Sequence, residues 1–590
     1  MTTFLSKRNL HFFLFDVFKA QNTLDFDHFK EYDLEAVNML LDSTFDIGEK
    51  ELYPIYREMD KHKAYFKDGK VEVHPKLKEA VRAIADIGLI GALDSFENGG
   101  SQLPYSITNA ALSILYAANP NATPYATLTQ GAANLIASFG SEELKQKYLQ
   151  KMYSWDWQGT MALTEPEAGS ALADLKSSAS PLEDGSYSIK GQKIFISSGD
   201  HTAVDNVVHL LLARIDGAPS GTKGISLFVV PKHLEENGQL TFNDVTTSGI
   251  YGKMGQKGYV AAHLMFGEGN NCKGFLVGEP HKGLSYMFQM MNEARIGTGT
   301  LSMATASAAY HIAVQYAKDR TQGTHPDNKK VPVKIIEHAD VRRMLLFQKS
   351  YIEGSMGLIS YTSVLKDYSE FGPAEDRKKN HLLLELLTPV VKSYCAEQGF
   401  TSVNQAMQVL GGAGYTDDFP IEQYLRDTRV NSIYEGTTTI HGMDLLGRKL
   451  AMENGLALKY FAEELTTTIQ EAMANESCRP FAEELARASQ ELQQCIQQQF
   501  KTAQEKGARA FLADASLFLE YFSLVTIAWV WLKSMLEIVN NTEKYEEFFL
   551  REKQATLQYF FDYELIKTKS LHLKLMKKEA LTYQVSSDIF

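Results

Sequence analysis

The segment "NSIYEGTTTIHGMDL" (431–445) places a glutamate, Glu435, between a tyrosine and a glycine, directly before three threonines and a helical pattern. A positioned carboxylate of this kind is suited to general-base chemistry. Taken alone, Glu435 is better explained as a solvated surface side chain, since charged residues are mostly exposed. The remaining segments with residues of chemical interest decide between these two interpretations.

Two further segments carry residues able to contact a ligand. In "MALTEPEAGSALADL" (161–175) a Gly and a Ser in a turn would expose backbone N–H groups and a hydroxyl. The alternative is a loop of a β domain with a capping threonine. In "KIFISSGDH" (193–201) the aromatic Phe195, followed by Ile and Ser, could face a planar ring system. The alternative is an edge strand with its aromatic side chain packed inward.

A glycine cluster and four cysteines are further residues that could have a functional role. Gly411, Gly412 and Gly414 close a helix and permit close approach of another backbone, although an ordinary Schellman-type turn explains them equally. The four cysteines have neither metal-site nor CxxC spacing, which predicts no metal and small buried hydrophobic side chains in a reducing compartment.

Composition excludes several classes of function. A formal net charge of −13 argues against a general nucleic-acid binder, which needs a basic face. The N-terminal apolar run is broken by His11 and Asp16 and lacks a cleavage site, so it is not typical of a signal peptide. The stretch "YFSLVTIAWVWL" (521–532) is too short to span a bilayer and predicts a buried core helix. We therefore expect a soluble cytoplasmic protein without integral membrane association.

At 590 residues the chain is too long for a single core, and its patterns change along its length. They predict an α+β multidomain protein: a helical N-terminal domain, a small middle β barrel or sandwich, a four-helix bundle and an extra helical C-terminal domain. The predicted limits are an N-terminal extension at 1–35 and domains at 36–158, 159–282, 283–455 and 456–590.

Three local patterns make specific structural predictions. "YSIKGQKIFISSG" (187–199) predicts a β-hairpin that turns at its Gly-Gln pair. "VPVKIIEHADVRRMLL" opens a second long bundle helix, and a third, containing "LLLELLTPVVKSYC", is predicted to break before Pro389. A fourth helix begins after the 431–445 segment.

The three motifs in this order and architecture resemble the acyl-CoA dehydrogenase family over about residues 40–455. "LTEPEAGS", "LGGAGY" and "IYEGTTTIHG" are specific in combination. The resemblance implies FAD bound between the β domain and the bundle, and oxidation of the Cα–Cβ bond of an acyl-CoA thioester to the trans-2-enoyl-CoA. It implies Glu435 as the base that removes the α-proton, with the flavin N5 accepting the β-hydride. Some relatives place the base just before the arginine that corresponds to Arg295, where this chain has Ala294.

The resemblance also implies roles for individual residues. The base's own backbone N–H would bind the thioester oxygen, and Gly436 would leave room for the acyl chain. The other substrate-binding residues would be Ser170, near CoA or its pantetheine arm, and Arg295, near the CoA phosphates. The residues implied in FAD binding are Met161, Leu163, Thr164, Phe195, Ile196, Ser197, Arg320, Gln408, Gly412 and Thr437. Arg320, Gln408 and Gly412 would contact the FAD of a neighbouring subunit, which implies a homo-oligomer and at least a dimer.

The chain departs from the family pattern in places. Phe195 stands where tryptophan is usual, Ala171 replaces the usual acid, and "RTQG" shortens the end of the first bundle helix, which leaves Gln322 and His338 without an assigned role. "HADVRRMLL", the N-terminal "RNLHFFLFDVF" and the long tail resemble a longer subgroup with a C-terminal helical extension, which includes 3-methylmercaptopropionyl-CoA dehydrogenases. The substrate is then 3-methylmercaptopropionyl-CoA or a fatty acyl-CoA, and chain length stays open.

Three functions are compared. The leading one is a dehydrogenase that passes electrons to an electron-transferring flavoprotein. An acyl-CoA oxidase would share the first half-reaction and discharge to oxygen. A non-catalytic acyl-CoA-binding protein on the same fold would not need Glu435 and its glycine-rich surroundings, whose presence argues against it.

Overall fold

The fold is given by a computed structural model that describes residues 4–169, 171–577 and 580–590, without the side chains of 288–290. The helices are α1 (Lys7–His11), α2 (Leu34–Ile47), α3 (Tyr53–Lys61), α4 (Leu77–Asp86), α5 (Tyr105–Ala118), α6 (Thr123–Phe139), α7 (Glu142–Tyr153), α8 (Gly283–Asp319), α9 (Ala339–Phe371), α10 (Ala374–Leu410), α11 (Ile421–Thr428), α12 (Thr438–Asp444), α13 (Leu456–Met473), α14 (Arg479–Lys506), α15 (Ala508–Phe511), α16 (Ala515–Asn540), α17 (Glu547–Tyr559), α18 (Lys567–Leu575) and α19 (Leu581–Gln584). The strands are β1 (Tyr65–Lys67), β2 (Lys70–Glu72), β3 (Trp157–Ala162), β4 (Ser178–Pro181), β5 (Tyr187–Ser197), β6 (Asn206–Ile215), β7 (Ile225–Pro231), β8 (His233–Glu236), β9 (Gln239–Phe242), β10 (Val245–Ile250), β11 (Ala261–Phe266), β12 (Lys273–Val277), β13 (Thr321–His325) and β14 (Asn328–Lys334).

The chain divides into two compact units, residues 31–294 in one and residues 1–30 with 295–590 in the other. The first unit begins with the helices α2–α7, as the sequence predicts. Ser141 is the N-cap of α7, and its side chain accepts a hydrogen bond from the Leu144 N–H. The predicted break at "NPNATPYAT" is also present, because α5 ends at Ala118 and α6 begins at Thr123. The short hairpin β1–β2 in this region was not predicted.

The described residues of the middle region form an eight-stranded sheet in the order β10-β11-β5-β12-β7-β6-β3, with β4 paired to β5 and β6. The predicted hairpin at 187–199 is wrong, because β5 is one continuous strand of eleven residues. It changes partners at Gly191: the first half pairs with β4 and β12, the second with β11. A side chain at Gly191 would lie 2.3 Å from the Ser177 Oγ, so glycine marks a close approach here and not a turn.

The second unit is built on the long helices α9 and α10, together with the part of α8 from Arg295 onward. The predicted break before Pro389 is wrong, since α10 runs through it. Leu386, Leu387, Val390 and Val391 around the proline are fully buried. Tertiary packing of these side chains therefore outweighs the loss of one helical hydrogen bond.

The remaining bundle elements differ in length from the expectation. The string "VPVK", predicted to open the second helix, lies in the hairpin β13–β14, and α9 begins only at Ala339. The fourth helix was predicted to begin after the 431–445 segment, but α12 begins inside it, at Thr438, is short and continues as a π-helical turn over Leu445–Lys449. The motif is thus held by short elements between α10 and α12.

The C-terminal region is helical, as predicted, and α16 is its central element. By length and composition α16 could cross a membrane, but 83% of its apolar window is buried within the fold. Trp529 and Trp531 of this helix are almost fully buried, and Phe13 of the N-terminal segment packs edge-on against Trp531. The prediction of a buried core helix is confirmed. All four cysteines are free and buried, also as predicted.

Candidate functional site

Glu435 adopts a left-handed backbone conformation, with φ of 54°. This conformation is uncommon for a non-glycine residue, costs about 1–3 kcal/mol and persists only where the surrounding structure enforces it. Gly436 follows with φ of 94°, and a Cβ at that position would come within 2.9 Å of the His441 Nε2. The glycine of the motif is therefore required both by backbone conformation and by the closeness of His441.

The segment before Glu435 is tied to the bundle helices. The Asn431 amide donates to the Ser302 Oγ on α8 at 3.0 Å, and the Tyr434 hydroxyl donates to the Asn431 Oδ1 at 3.1 Å. The Arg429 guanidinium donates to the Ser432 Oγ at 2.7 Å and lies over the Phe400 ring on α10. These contacts fix the chain on the N-terminal side of the motif.

Two buried side chains fix the chain on the C-terminal side. The Lys392 ammonium on α10 donates to the Gly436 carbonyl oxygen, and the His441 Nε2 lies 3.0 Å from the Glu435 carbonyl oxygen. Because a carbonyl only accepts, Nε2 carries the proton in this contact. Both side chains are fully buried, at 0% exposure. The backbone N–H of Glu435 donates to none of the residues the structure describes.

The Glu435 carboxyl group is reachable by solvent, yet protein atoms surround it closely. Desolvation is the main cause that raises its pKa above the ordinary glutamate value, while the positive charges of Arg295 and Lys392 act in the lowering direction. Glu435 is thus an exposed residue whose carboxyl group nevertheless has many protein atoms around it. A carboxylate with a raised pKa is a better proton acceptor when ionised, as a general base requires.

Arg295 lies beside this carboxylate and not on an open surface. It is 9% exposed, its Nη1 is 4.0 Å from the Asp444 Oδ2, and its Nε has no hydrogen-bond partner among the described residues. Burial acts to raise the pKa of Asp444, but the hydrogen bond from Arg448 and the charges of Lys449, Arg448 and Arg295 lower it overall. The predicted contact of Arg295 with CoA phosphates stays a prediction.

A second cluster lies in the sheet unit and contains the predicted residues near 161–164 and 195–197. Lys193 is fully buried, and its ammonium contacts the Glu165 carboxylate at 2.8 Å, the Leu163 carbonyl at 3.0 Å and the Leu212 carbonyl at 2.8 Å. The Ile194 N–H donates to the Thr164 carbonyl at 2.9 Å. The loop after β3 is thereby joined to β5, which brings the two predicted segments together.

Phe195 is turned outward by a β-bulge. Lys193 pairs with Leu264 and Ile196 with Ala262, so two residues of β5 oppose only His263 of β11. Phe195 has a left-handed φ of 57°, is 56% exposed and packs against the Tyr251 ring at 4.2 Å between centroids. The alternative of an inward-packed aromatic on an edge strand is wrong, whereas Ile196 is buried and Ser197 half-buried.

The other predicted residues are placed as follows. Met161 lies in β3 opposite Leu210 and is half-buried, as are Leu163 and Thr164. Arg320 follows α8 and is exposed, as are Gln408 in the last turn of α10 and Gly412 in the turn after it. Tyr316 near the end of α8 packs against Phe419, so these termini lie at the same end of the bundle. Thr437 is the N-cap residue of α12, but its hydroxyl makes no capping hydrogen bond. Ser170 lies outside the described residues.

Sequence reasoning missed Lys392 and His441 as parts of the site. Lys392 stands alone in the apolar run "LLTPVVKSYC", and a lone lysine in a buried helix is a signal that could have been used. His441 lies inside the quoted motif, but nothing in the sequence shows that its ring reaches back to the carbonyl of Glu435. Lys193 and Glu165 likewise lie within the quoted motifs, and their pairing becomes visible only in the sheet.

The chain is similar to known proteins over most of its length. Sequence models of four domains match: acyl-CoA dehydrogenase N-terminal (35–156), middle (160–268) and C-terminal (281–450) domains, and an acetyl-CoA dehydrogenase C-terminal-like domain (461–585). The chain is 33% identical over 549 residues to 3-methylmercaptopropionyl-CoA dehydrogenase of Ruegeria pomeroyi, covering 93% of each chain. It is 35% identical over 494 residues to a butyryl-CoA dehydrogenase of Syntrophomonas wolfei, covering 81% of this chain and 80% of that one.

The fold is also found in a solved structure. An acyl-CoA dehydrogenase of Bacillus anthracis, complexed with FAD, superposes with a TM-score of 0.71 at 19% identity, covering 97% of this chain and 96% of that one. At this identity the likeness shows the fold alone. The domain matches and the similarity to the Ruegeria enzyme show the family. The chain belongs to the acyl-CoA dehydrogenase family of enzymes and carries a helical C-terminal extension domain.

Proposed function

We propose that this enzyme uses FAD to dehydrogenate an acyl-CoA thioester between Cα and Cβ, with Glu435 as the base that removes the α-proton. The observation that carries the proposal is the conformation of Glu435 itself. Its side chain is exposed to solvent, and its strained backbone is held by Lys392 and His441 through successive carbonyl groups. Strain that is enforced by buried donors at one carboxylate is typical of a functional position.

The chemistry of proton removal follows from the residues of the 431–445 motif. An α-proton of a thioester is weakly acidic, so a base succeeds only if the developing enolate is stabilised at the same time. The backbone N–H of Glu435, which donates to none of the described residues, is a donor suited to that oxygen. Arg295 and Lys392 add positive charge beside the base. Gly436, without a side chain, leaves space for the acyl group.

The residues of the sheet unit fit a planar cofactor. The bulge turns the Phe195 ring outward, and the Lys193–Glu165 pair fixes the adjacent Leu163 and Thr164 backbone. FAD, when bound, supplies the two-electron acceptor for the β-hydride. The residues proposed to hold it are Met161, Leu163, Thr164, Phe195, Ile196, Ser197, Arg320, Gln408, Gly412 and Thr437.

The substrate class follows from the family, and the exact acyl group is a proposal. Two relatives are named for their substrates, 3-methylmercaptopropionyl-CoA and butyryl-CoA, and both of these substrates have short acyl chains. We propose a short acyl-CoA, with or without a thioether, held by Ser170, Arg295 and Gly436. We also propose a cytoplasmic homodimer that passes its electrons to an electron-transferring flavoprotein.

The proposal is tested by replacing the base. Glu435→Gln, isolated with its flavin bound, is expected to lose at least about 10²-fold in turnover with any acyl-CoA, the lower limit for general-base catalysis. Glu397→Gln is the matched control, because Glu397 is the other carboxylate near Lys392. Turnover of Glu435→Gln near the parent rate, or an equal loss in Glu397→Gln, contradicts the assignment.

A panel of acyl-CoAs of graded length, including one thioether chain, assayed with an artificial electron acceptor, identifies the substrate. A second experiment distinguishes an electron-transferring flavoprotein from oxygen as the electron acceptor. The enzyme-bound flavin is reduced with acyl-CoA in the absence of oxygen, oxygen is then admitted, and the peroxide formed is measured. We expect little peroxide; rapid stoichiometric peroxide would indicate an oxidase. A parent protein that retains no flavin and reacts with no acyl-CoA would indicate a binding protein.

A further inference from the structure

Lys392 is a buried cation whose hydrogen bond goes to a backbone carbonyl, that of Gly436, and not to a carboxylate. A buried charge is costly unless it is paired and hydrogen-bonded. Two other fully buried lysines of this chain, Lys193 and Lys553, each have a carboxylate within 2.8 Å. Lys392 therefore differs from them, and its position beside Glu435 needs a reason other than a closed ion pair.

Close helix packing brings Lys392 to this position. A Cβ at Gly299 on α8 would come within 2.8 Å of the Val391 carbonyl on α10, so the two helices approach closely one turn after Arg295. Two cations, Arg295 and Lys392, accordingly lie near one carboxylate, that of Glu435. The positive charges of Arg295 and Lys392 repel each other. Negative charge that develops between them therefore makes the arrangement favourable.

His441 makes the second contact, with the carbonyl oxygen of Glu435. Its helix α12 is fixed by α16: a Cβ at Gly442 would lie 2.7 Å from the Ala515 carbonyl, which leaves α12 no room to move toward that helix. The His441 Nδ1 is buried without a hydrogen-bond partner among the described residues. Among the described residues, the imidazole therefore makes one hydrogen bond, from Nε2 to the Glu435 carbonyl oxygen.

We propose that Lys392 and His441 are positioning residues that hold the peptide groups on the C-terminal side of Glu435, and that Lys392 also supplies positive charge to its carboxylate. The inference rests on the proposed function. The two held carbonyls belong to the Glu435–Gly436 and Gly436–Thr437 peptides, so they fix the backbone that directly follows the Cα of Glu435, from which its side chain projects. Without them the left-handed conformation at Glu435 would relax, because nothing in its own chemistry favours it.

The charge effect has a defined sign. The charged and titratable groups around Lys392 and Glu435 are Arg295 from α8, Glu397 from α10, and His441 and Asp444 from α12. The charge of Lys392 acts to lower the pKa of Glu435. Removing that charge therefore raises the pKa of the base, and the acid side of the pH profile of kcat moves to higher pH.

The experiment compares Lys392→Met, which removes both donor and charge, with Lys392→Gln, which keeps a donor without the charge. For Lys392→Met we expect kcat to fall at least about tenfold with KM changed less than about threefold, and the acid limb to move upward. Amide hydrogen exchange of a peptide covering 431–440, measured without substrate, should become faster. Lys392→Gln should show the same displacement of the acid limb with a smaller loss of kcat and slower exchange than Lys392→Met.

Lys553→Met is the matched control, since Lys553 is another buried lysine, paired with Glu353 of α9. It should lower thermal stability without moving the acid limb. The inference is overturned if both Lys392 variants keep the parent pH profile, or if Lys553→Met displaces it equally. If Lys392→Met does not fold, the pH profile of Lys392→Gln decides. If Glu435→Gln loses activity while the Lys392 variants keep the activity and pH profile of the parent, this inference alone is rejected. If Glu435→Gln stays active, the proposed function is rejected.

Discussion

Two residues of the predicted chemistry, Glu435 and Phe195, share a left-handed backbone but are held in different ways. Phe195 lies in a β-bulge, and the ladder on both sides of it, through Ile196 and Lys193, continues to pair with β11. Glu435 lies in a loop, where two buried side chains hold its own and the following carbonyl. The sheet enforces one conformation through backbone pairing, and the loop enforces the other through individual side chains.

This difference predicts where single substitutions act. Backbone pairing does not depend on the side chain at the strained residue, so the Phe195 region should tolerate changes at Phe195 itself. Its sensitive point is the ion pair beneath it, formed by Lys193 and Glu165. In the Glu435 loop, by contrast, each holding contact is a single side chain, so function should respond to substitutions that leave the fold intact.

The largest effect on stability is expected from Lys193→Met. The substitution leaves the Glu165 carboxylate buried without its cation, and breaking such a pair costs about 3–5 kcal/mol. Thermal unfolding of the flavin-free and flavin-bound protein should show a large loss in both forms. Lys190→Met, which changes an exposed lysine on the same strand, should stay within about 0.5 kcal/mol of the parent. Equal stability of the two variants would contradict the role given to the ion pair.

The next largest effect is expected in the Glu435 loop, at Gly436. Gly436→Ala places a Cβ 2.9 Å from the His441 Nε2 at a φ of 94°, so it adds about 1–3 kcal/mol of backbone strain and displaces the ring that holds Glu435. We expect turnover to fall at least about tenfold in protein that still folds and retains flavin.

Gly217→Ala provides the control, because Gly217 also has a positive φ, of 77°, but open space around it. It should lose similar stability without loss of turnover. If both variants lost turnover equally, strain in general, and not the contact with His441, would be responsible.

The same comparison explains how far the sequence could be read. The motif around Glu435 and the order of helical and strand-forming segments were sufficient to predict the family and its fold, whereas the role of Glu435 as the base stays a prediction. The contacts of Lys392 and His441 were not accessible, because they join residues far apart in the chain or depend on a ring orientation. The continuous strand through Gly191 and the helix through Pro389 were mispredicted for one reason. Local turn and break signals were overridden by tertiary contacts, with Ser177 in one case and buried leucines and valines in the other.

The smallest effect on stability is expected from Phe195→Ala, and it tests the sheet half of the comparison directly. The ring is 56% exposed, and alanine meets the same backbone requirement at φ 57°, so the free energy of unfolding should change by no more than about 0.5 kcal/mol. Phe242→Ala is the matched control, because Phe242 is 52% exposed in the same unit. Both variants should unfold like the parent, but only Phe195→Ala should alter the absorption spectrum and affinity of bound flavin. A large loss of stability in Phe195→Ala would mean that the ring, and not the strand pairing, maintains the bulge.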